Sequence, residues 1–304
     1  MSDYPHETKD ENWKIELREE MIKILTGDEQ SKQNAYWQIG LHYNCSAPAS
    51  LYKYYRGTGR DLESIKANKM WYSAPCNYND VFDCEITVDE TAIIACALQL
   101  AKEEGMNIRT GSPVWKKIRQ TMNHEIRSFH STFETMRSTM GISCLSESDE
   151  SLLMWAHYAD NHRGICVEYD LMEINKQLNF TPVPIIYSND RVCFNSLNPN
   201  TVEKDSFALF LRSITSKSEE WSYEHEWRII RDDVACGDRW DSEKKGALLD
   251  MIRPNSITLG CAAEEQFEKS IKEYCKEYRI SLYKMQKDKS LYKLNKVPVL
   301  EFDS

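Results

Sequence analysis

Strand-like and helix-like stretches follow one another in this chain without the strict alternation that a parallel sheet requires. LYKYY (51–55) predicts an aromatic strand, GTGRDLESIKANK a turn into a short helix, and MWYS a second strand. Later, GISCLSE and ICVEYD read as strands, whereas residues 90–140 have the three- and four-residue spacing of helices. This mixed order predicts an α+β fold, with a mixed or antiparallel central sheet flanked by helices.

The domain organisation follows from the same pattern. A length of 304 residues suits one large domain or about two. NWKIELREEMIKILTG and SKQNAYWQIGLHY predict two helices with Gly27 between them, so residues 1–46 are interpreted as an N-terminal helical extension. Residues 47–304 are interpreted as a single α+β domain with a helical insertion near 90–140, because no internal repeat or low-complexity linker divides them.

The composition limits the classes of partner. The formal charge is −10, so the field of the whole molecule repels polyphosphates, and a polyphosphate ligand would need a local basic patch. No apolar run approaches the roughly 20 residues of a membrane span, and the first residues lack the pattern of a signal peptide. These features predict a cytoplasmic protein that does not bind membranes.

The cysteines predict neither a disulfide framework nor a zinc site. All ten are scattered, none forms a CxxC pair, and several lie in apolar contexts such as IIACALQL and GICVEYD. Scattered cysteines of this kind are typical of reduced, buried thiols.

The stretch KSEEWSYEHEWRII (217–230) concentrates aromatic and charged residues. As a strand it would place alternate side chains on opposite faces. One face would carry Tyr223, His225, Trp227 and Ile229, and the other Glu224, Glu226, Arg228 and Ile230. The charged row could pair on a solvated face, Arg228 with Glu226. Because Ile230 continues the row and Trp221 precedes it, we favour a row that lines a cleft.

A second candidate site lies in WAHYADNHRG (155–164). Trp155 and Tyr158 are three residues apart, so both could pack inward on one helix. They could instead form an aromatic wall for a flat ring, with His162 as a hydrogen-bond donor at its rim. His157 and His162 are five residues apart, which does not suit a zinc pair on a helix, and no metal site is predicted.

The polar segment CNYNDVFD (76–83) offers Asn79, Asp80 and Asp83. Their spacing suits a turn or a helix start, and a catalytic carboxylate or a Mg²⁺ ligand is the alternative. The short GTG at 57–59 predicts a turn, because it lacks the third glycine of a dinucleotide-binding motif.

Several of these stretches together resemble a bacterial family, the domain-of-unknown-function 2971 family. The resemblance runs from about Leu51 to Ile230 and covers LYKYY, ANKMWYSAPCNYNDVFD, ISCLSESDESLLMWAHYADNHRGICVEYD and KSEEWSYEHEWRII. Many members look as if they open with a strand, a short helix and a second strand, an opening similar to that of ADP-ribosyltransferases that modify nucleic acid or protein.

The resemblance implies NAD as co-substrate and a set of site residues. Lys53 or Arg56 would hold the ribose or a phosphate, Ser73 would frame the nicotinamide, and Glu226 would be catalytic. Glu224 would deprotonate the acceptor, with its pKa raised by the nearby like charge. Lys53 stands where the ADP-ribosyltransferase pattern has His or Arg, and its flexible ammonium does not imitate a planar guanidinium. The remaining residues expected to contact substrate are Tyr54, Asn79, Asp80, Trp155, Tyr158, His162 and Arg228.

The leading hypothesis is therefore an NAD-dependent ADP-ribosyltransferase-like enzyme that acts on a protein or nucleic-acid acceptor, as a toxin or phage-defence (antiviral) effector. One alternative is a non-catalytic module that binds a nucleotide or a protein. The other is a metal-dependent hydrolase that uses Asp80, Asp83, Glu224 and Glu226. The sequence leaves the acceptor and the oligomeric state open.

Overall fold

The computed structural model of the chain describes residues 12–178, 181–195, 202–231 and 237–302. They divide into two compact units. The first comprises the described parts of 1–47, 78–138 and 186–218, and the second those of 48–77, 139–185 and 219–304. Within the described ranges, no helix combines the length and the apolar character needed to cross a membrane. The predicted α+β class, with a mixed sheet and flanking helices, is confirmed.

The elements are numbered in chain order. The helices are α1 (Asn12–Thr26), α2 (Glu29–Cys45), α3 (Gly59–Lys66), α4 (Glu90–Glu103), α5 (Pro113–Thr139), α6 (Leu152–Tyr158), α7 (Leu171–Leu178), α8 (Val202–Ile214) and α9 (Glu265–Tyr278). The strands are β1 (Ser50–Tyr55), β2 (Lys69–Ser73), β3 (Thr87–Val88), β4 (Gly141–Ser146), β5 (Ile165–Asp170), β6 (Val183–Pro184), β7 (Ile186–Tyr187), β8 (Cys193–Phe194), β9 (Ser216–Lys217), β10 (Glu226–Arg231), β11 (Trp240–Asp241), β12 (Gly246–Asp250), β13 (Ser256–Leu259), β14 (Ser281–Lys287) and β15 (Leu294–Leu300).

The first unit is mostly helical. The pair α1 and α2 meets at Gly27 as predicted, and Asp28 caps α2 by accepting a hydrogen bond from the Ser31 amide at 2.8 Å. Helix α8 packs against α1, and two short parallel strand pairs, β3 with β8 and β7 with β9, complete the unit. A buried cluster that includes Ile93 and Phe133 joins α4 and α5.

The second unit is built on an eleven-stranded mixed sheet, counted over the described residues. Its main path runs β11-β12-β2-β4-β1-β5-β13-β14-β15, and β10 and β6 branch from β4. The pairings are antiparallel except for β13 with β14. Between those two parallel strands the chain passes through α9, as a parallel connection requires.

Strand β4 has three neighbouring strands although a strand has only two edges. Strand β10 pairs with β4 from Gly141 to Ser146 and so takes one whole edge. The other edge is shared: Tyr52 of β1 faces Ser146, and Ser73 of β2 faces Ile142. The sheet therefore splits at β4, with β1 and β2 diverging from its two ends.

The turn after α6 brings two parts of the second unit into close contact. Residues Asp160, Asn161 and His162 all have positive φ, and Gly164 then enters β5. The Gly164 amide bonds the Ala159 carbonyl at 2.8 Å, and a Cβ at Gly164 would lie 2.1 Å from the Tyr55 carbonyl oxygen. Only glycine leaves room for the end of β1 at this point.

We predict that Gly164→Ala destabilises the protein by roughly 1–3 kcal/mol, because the added methyl group must displace the backbone of β1. Urea unfolding followed by tryptophan fluorescence measures the effect. Gly40→Ala is the matched control: Gly40 lies inside α2 and a Cβ there meets no atom within 4 Å. It should stabilise the helix by roughly 0.5–1 kcal/mol. Equal effects at the two positions would contradict the steric explanation.

Candidate functional site

A cleft of about 560 Å³ opens in the second unit where β1 ends, α3 begins and α6 ends. This volume is in the range of small-molecule sites. Its lining consists of aromatic and charged side chains, namely Tyr54, Tyr55, Arg56, Thr58, Arg60, Asp61 and Tyr158. Three of the residues predicted from sequence, Tyr54, Arg56 and Tyr158, therefore meet in one place.

Two guanidinium groups dominate the charge of this cleft. Arg56 and Arg60 are exposed, and neither forms an ion pair within the described part of the chain. They flank the start of α3, whose amides add a partial positive charge. The Asp61 carboxylate is engaged in a capping box: it accepts from the Thr58 amide at 2.9 Å, while the Thr58 hydroxyl accepts from the Asp61 amide at 3.3 Å. The cleft is thus suited to an anion.

Tyr158 connects the cleft to a buried carboxylate. Its ring lines the cleft, and its hydroxyl donates a hydrogen bond of 2.5 Å to Oε1 of Glu224. Glu224 is 4% exposed and ends a 3₁₀ helix at Glu219–Glu224. Tyr54 lines the same cleft: burial raises its pKa, and its hydroxyl donates to the Ser148 carbonyl at 2.8 Å. Both tyrosine rings are held in place by these bonds.

The predicted strand 223–230 is wrong at its start. The 3₁₀ helix occupies Glu219–Glu224, and His225 has φ +44°, so β10 begins only at Glu226. Glu224 and Glu226 therefore do not belong to one strand row. The difference has a local cause, since a left-handed residue interrupts the extended backbone that the alternation assumes.

Glu226 and Arg228 form an ion pair inside the core. Arg228 Nε donates to Glu226 Oε1 at 2.7 Å, and a second nitrogen lies 3.3 Å from Oε2. The two residues are 2% and 0% exposed. The expectation of a charged row on an open cleft is wrong for this pair, because both side chains are buried.

The Lys53 side chain forms hydrogen bonds within the sheet. Its ammonium donates to the Cys144 carbonyl at 2.7 Å and to the Ser143 hydroxyl at 3.1 Å. Both acceptors lie in the middle of β4, between the points where β1 and β2 pair with it. Burial lowers the pKa of Lys53, and the charge of Glu226 acts in the opposite direction. The side chain bonds protein backbone and is not among the residues that line the cleft.

Three more predicted residues of the second unit lie outside this cleft. Trp155 is fully buried: its Nε1 donates to the Asp149 carbonyl at 2.6 Å and its ring packs edge-on against Tyr54, so the predicted aromatic wall lacks this member. His162 lines a different cleft, because three left-handed residues turn the chain after α6. Ser73 is half-buried on β2, where its hydroxyl accepts from the Asn77 amide at 3.3 Å.

Asn79 and Asp80 belong to the first unit. Asn79 is exposed, whereas Asp80 is buried and its Oδ1 accepts from the Phe82 amide at 2.9 Å, which is the turn geometry that the sequence offered. Asp83 is buried as well, 3.6 Å from the Lys217 ammonium. In the described ranges, no group of three His, Cys, Asp or Glu side chains is arranged to hold a metal ion.

Helix α6 is capped by Ser151, whose hydroxyl accepts from the Met154 amide. Sequence reasoning missed Arg60 and Tyr55 as cleft residues. For Arg60 the sequence did contain an indication. Thr58 and Asp61 have the spacing of a capping box, which places Arg60 in the first turn of α3.

We predict that Glu226→Gln destabilises the protein by about 3–5 kcal/mol, because it removes the negative charge that the buried Arg228 guanidinium contacts at 2.7 Å. The measurement is chemical denaturation. Glu268→Gln is the control, since Glu268 makes a 2.5 Å ion pair with Lys284 that is 27% exposed on each side. A half-exposed pair of this kind contributes about 0–1 kcal/mol. If Glu226→Gln unfolds no more easily than this control, the pair does not support the core.

Comparison with known proteins gives one match. The family described as "Protein of unknown function (DUF2971)" matches residues 154–229, a segment that contains most of α6, β5, Glu224 and most of β10. No curated protein and no solved structure matches the chain significantly. Over residues 154–229 the chain is thus similar to the DUF2971 family, and the resemblance to that family is supported there.

Proposed function

We propose that this chain is an NAD-dependent ADP-ribosyltransferase-like enzyme and that the nucleotide binds in the cleft between β1, α3 and α6. The observation that carries the proposal is Tyr158: it lines the same cleft as Arg56 and Arg60, and its hydroxyl is bonded at 2.5 Å to the buried carboxylate of Glu224. Two guanidinium groups and a tyrosine that is held by a buried carboxylate therefore line one cleft.

The two arginines suit the pyrophosphate of NAD. A guanidinium binds phosphate oxygens through two parallel hydrogen bonds, and Arg56 and Arg60 have no carboxylate partner among the described residues to displace. The N-terminal amides of α3 favour the same charge. The pyrophosphate is accordingly assigned to the mouth of the cleft, beside the start of α3.

Tyr158 and Glu224 suit the reacting end of the nucleotide. In ADP-ribosyl transfer the bond between nicotinamide and ribose breaks, nicotinamide leaves with the electron pair, and an acceptor that loses a proton bonds the same carbon. Positive charge develops on the ribose in between. We assign the Tyr158 hydroxyl to this developing charge: because it gives its hydrogen to a carboxylate, its oxygen is polarised and a lone pair directed at the ribose would stabilise that state.

This assignment moves the catalytic role from Glu226 to the Tyr158–Glu224 pair. Glu226 has its charge balanced by Arg228 within the core, whereas the Glu224 carboxylate reaches the cleft through the tyrosine hydroxyl. The acceptor, a protein or a nucleic acid, and a role as a toxin or phage-defence effector remain predictions from the resemblance.

A second candidate function is nucleotide binding without turnover. The observation that favours it is the burial of both carboxylates, since Glu224 and Glu226 are 4% and 2% exposed and neither can contact an acceptor from the core directly. In that case the cleft would hold NAD or a related nucleotide as a regulatory ligand.

The nucleotide site predicts that Arg56→Gln and Arg60→Gln each weaken NAD binding about tenfold or more, because a hydrogen bond to a charged group contributes about 1.5–3 kcal/mol. Isothermal titration calorimetry with NAD measures the effect. Lys66→Gln, at the other end of α3, removes the same charge outside the cleft and should leave the affinity within about threefold. Equal losses in all three variants, or no loss in either arginine variant, would place the nucleotide elsewhere.

The proposed chemistry predicts that Tyr158→Phe and Glu224→Gln each lower the release of nicotinamide from NAD by about 10²–10³-fold, the usual cost of removing one electrostatic partner of a transition state. The NAD affinity of Tyr158→Phe should change little, because its ring is retained. Nicotinamide release and transfer of labelled ADP-ribose to cell lysate are the measurements. If the wild-type protein binds NAD but neither releases nicotinamide nor transfers ADP-ribose to the lysate, the result supports the non-catalytic binding module instead.

A further inference from the structure

The hairpin between β14 and β15 carries a concentration of positive charge in an acidic chain. Residues 287–293 read KDKSLYK and hold three lysines against one aspartate, a net charge of +2, whereas the whole chain has −10. Lys287, Lys289 and Lys293 are all exposed, and none makes an ion pair within the described residues. The three ammonium groups are therefore available to an anionic partner.

The aspartate in this hairpin is used to shape the loop. Oδ1 of Asp288 accepts hydrogen bonds from the Ser290 amide at 2.8 Å, the Ser290 hydroxyl at 3.0 Å and the Leu291 amide at 3.0 Å. Oδ2 accepts from Asn295 at 2.9 Å, and the backbones of Asp288 and Lys293 bond at 2.9 Å. These hydrogen bonds lower the pKa of Asp288. They fix the loop, so the lysines project from a defined turn.

The tip of the same hairpin presents an aromatic ring. Tyr292 is 102% exposed and Leu291 is 64% exposed. Behind the tip lies a cleft of about 610 Å³ that Lys287, Lys289 and Lys293 line together with His162. Nδ1 of His162 is buried and has no hydrogen-bond partner within the described residues. Burial and the nearby Lys287 lower the pKa of His162, so at neutral pH the ring is uncharged and can donate or accept a hydrogen bond.

The position of His162 depends on backbone contacts rather than on its own side chain. Its carbonyl accepts from the Ala262 amide at 2.9 Å, and a Cβ on Gly260 would lie 2.0 Å from that carbonyl oxygen. The left-handed turn at residues 160–162 is thus held against the start of the α9 connection.

We propose that this hairpin and its cleft bind single-stranded nucleic acid. The three lysines would neutralise backbone phosphates, a base would stack on Tyr292, and His162 would hydrogen-bond a phosphate or a base edge inside the cleft. Single strands are bound in this way, by a positive groove beside exposed aromatic rings. Duplex bases are already stacked and cannot use the tyrosine. An anionic membrane fits less well, because two side chains at the tip offer little apolar area for insertion.

The test is fluorescence anisotropy with labelled 12-nucleotide DNA and RNA of mixed sequence, as single strands and as duplexes, on the full chain without NAD. We expect single strands to bind more tightly than duplexes. Three phosphate contacts give a slope of log affinity against log salt of about −2, from about −0.7 per contact. The variant with Lys287→Gln, Lys289→Gln and Lys293→Gln should lose this slope, and Tyr292→Ala should weaken binding about tenfold.

A matched control removes the same number of charges elsewhere. Lys269, Lys272 and Lys276 lie on α9, and changing all three to Gln should leave oligonucleotide binding within about threefold. The hairpin residues are exposed, so unfolding midpoints should remain at the wild-type value in every variant. Wild-type protein that binds no oligonucleotide at low salt, equal losses in both triple variants, or hairpin-dependent binding only to phosphatidylserine vesicles would each overturn the proposal. None of these readouts depends on the nucleotide cleft.

Discussion

The second unit depends on how β4 shares its two edges among three strands. Because β10 occupies one edge completely, β1 and β2 can each pair only with one end of the other edge, and the backbone between them needs another partner. The Lys53 ammonium supplies it at the Cys144 carbonyl. The same region contains a buried thiol. Burial raises the pKa of the Cys144 thiol to about 12 and the Glu226 charge adds to that rise, so the thiol stays protonated at neutral pH.

The divergence of β1 and β2 also creates the candidate site. Beyond Tyr52, β1 leaves β4 but stays paired with β5 as far as Tyr55, and Tyr54, Tyr55 and Arg56 become one wall of the cleft. Gly164 permits α6 and β5 to lie against that wall. Where β1 and β2 diverge, Lys53 bonds within the sheet, whereas Arg56, the next basic residue along the chain, is exposed to solvent. A lysine can fill the first position because it bonds a carbonyl as a point charge, without the planar geometry that phosphate recognition favours.

Much of the fold was predictable from local periodicity, and much of the site was not. The two N-terminal helices, the unit β1-α3-β2, and strands β4 and β5 follow from apolar spacing, which reports only which face of an element is buried. The start of β10 could not be predicted in this way, because the left-handed backbone conformation of His225 does not change the spacing of apolar residues. The different positions of Trp155 and Tyr158 could not be predicted in this way either. In the seven-residue helix α6, Trp155 is buried in the core, whereas Tyr158 lines the cleft. The role of Lys53 depends on a non-local pairing of strands.

Charge distribution reconciles an acidic chain with two proposed anionic ligands. At physiological ionic strength the Debye length is about 8 Å, so carboxylates farther away than that contribute little to a binding site. What matters is whether a nearby acid competes for each cation. Among the residues that line the cleft, the acid is Asp61, and its carboxylate is engaged by the Thr58 amide. On the hairpin it is Asp288, which is engaged by neutral donors of its own loop. In both places neutral donors hold the carboxylate, and the cationic side chains outnumber the acidic ones, two to one among the residues that line the cleft and three to one in the hairpin.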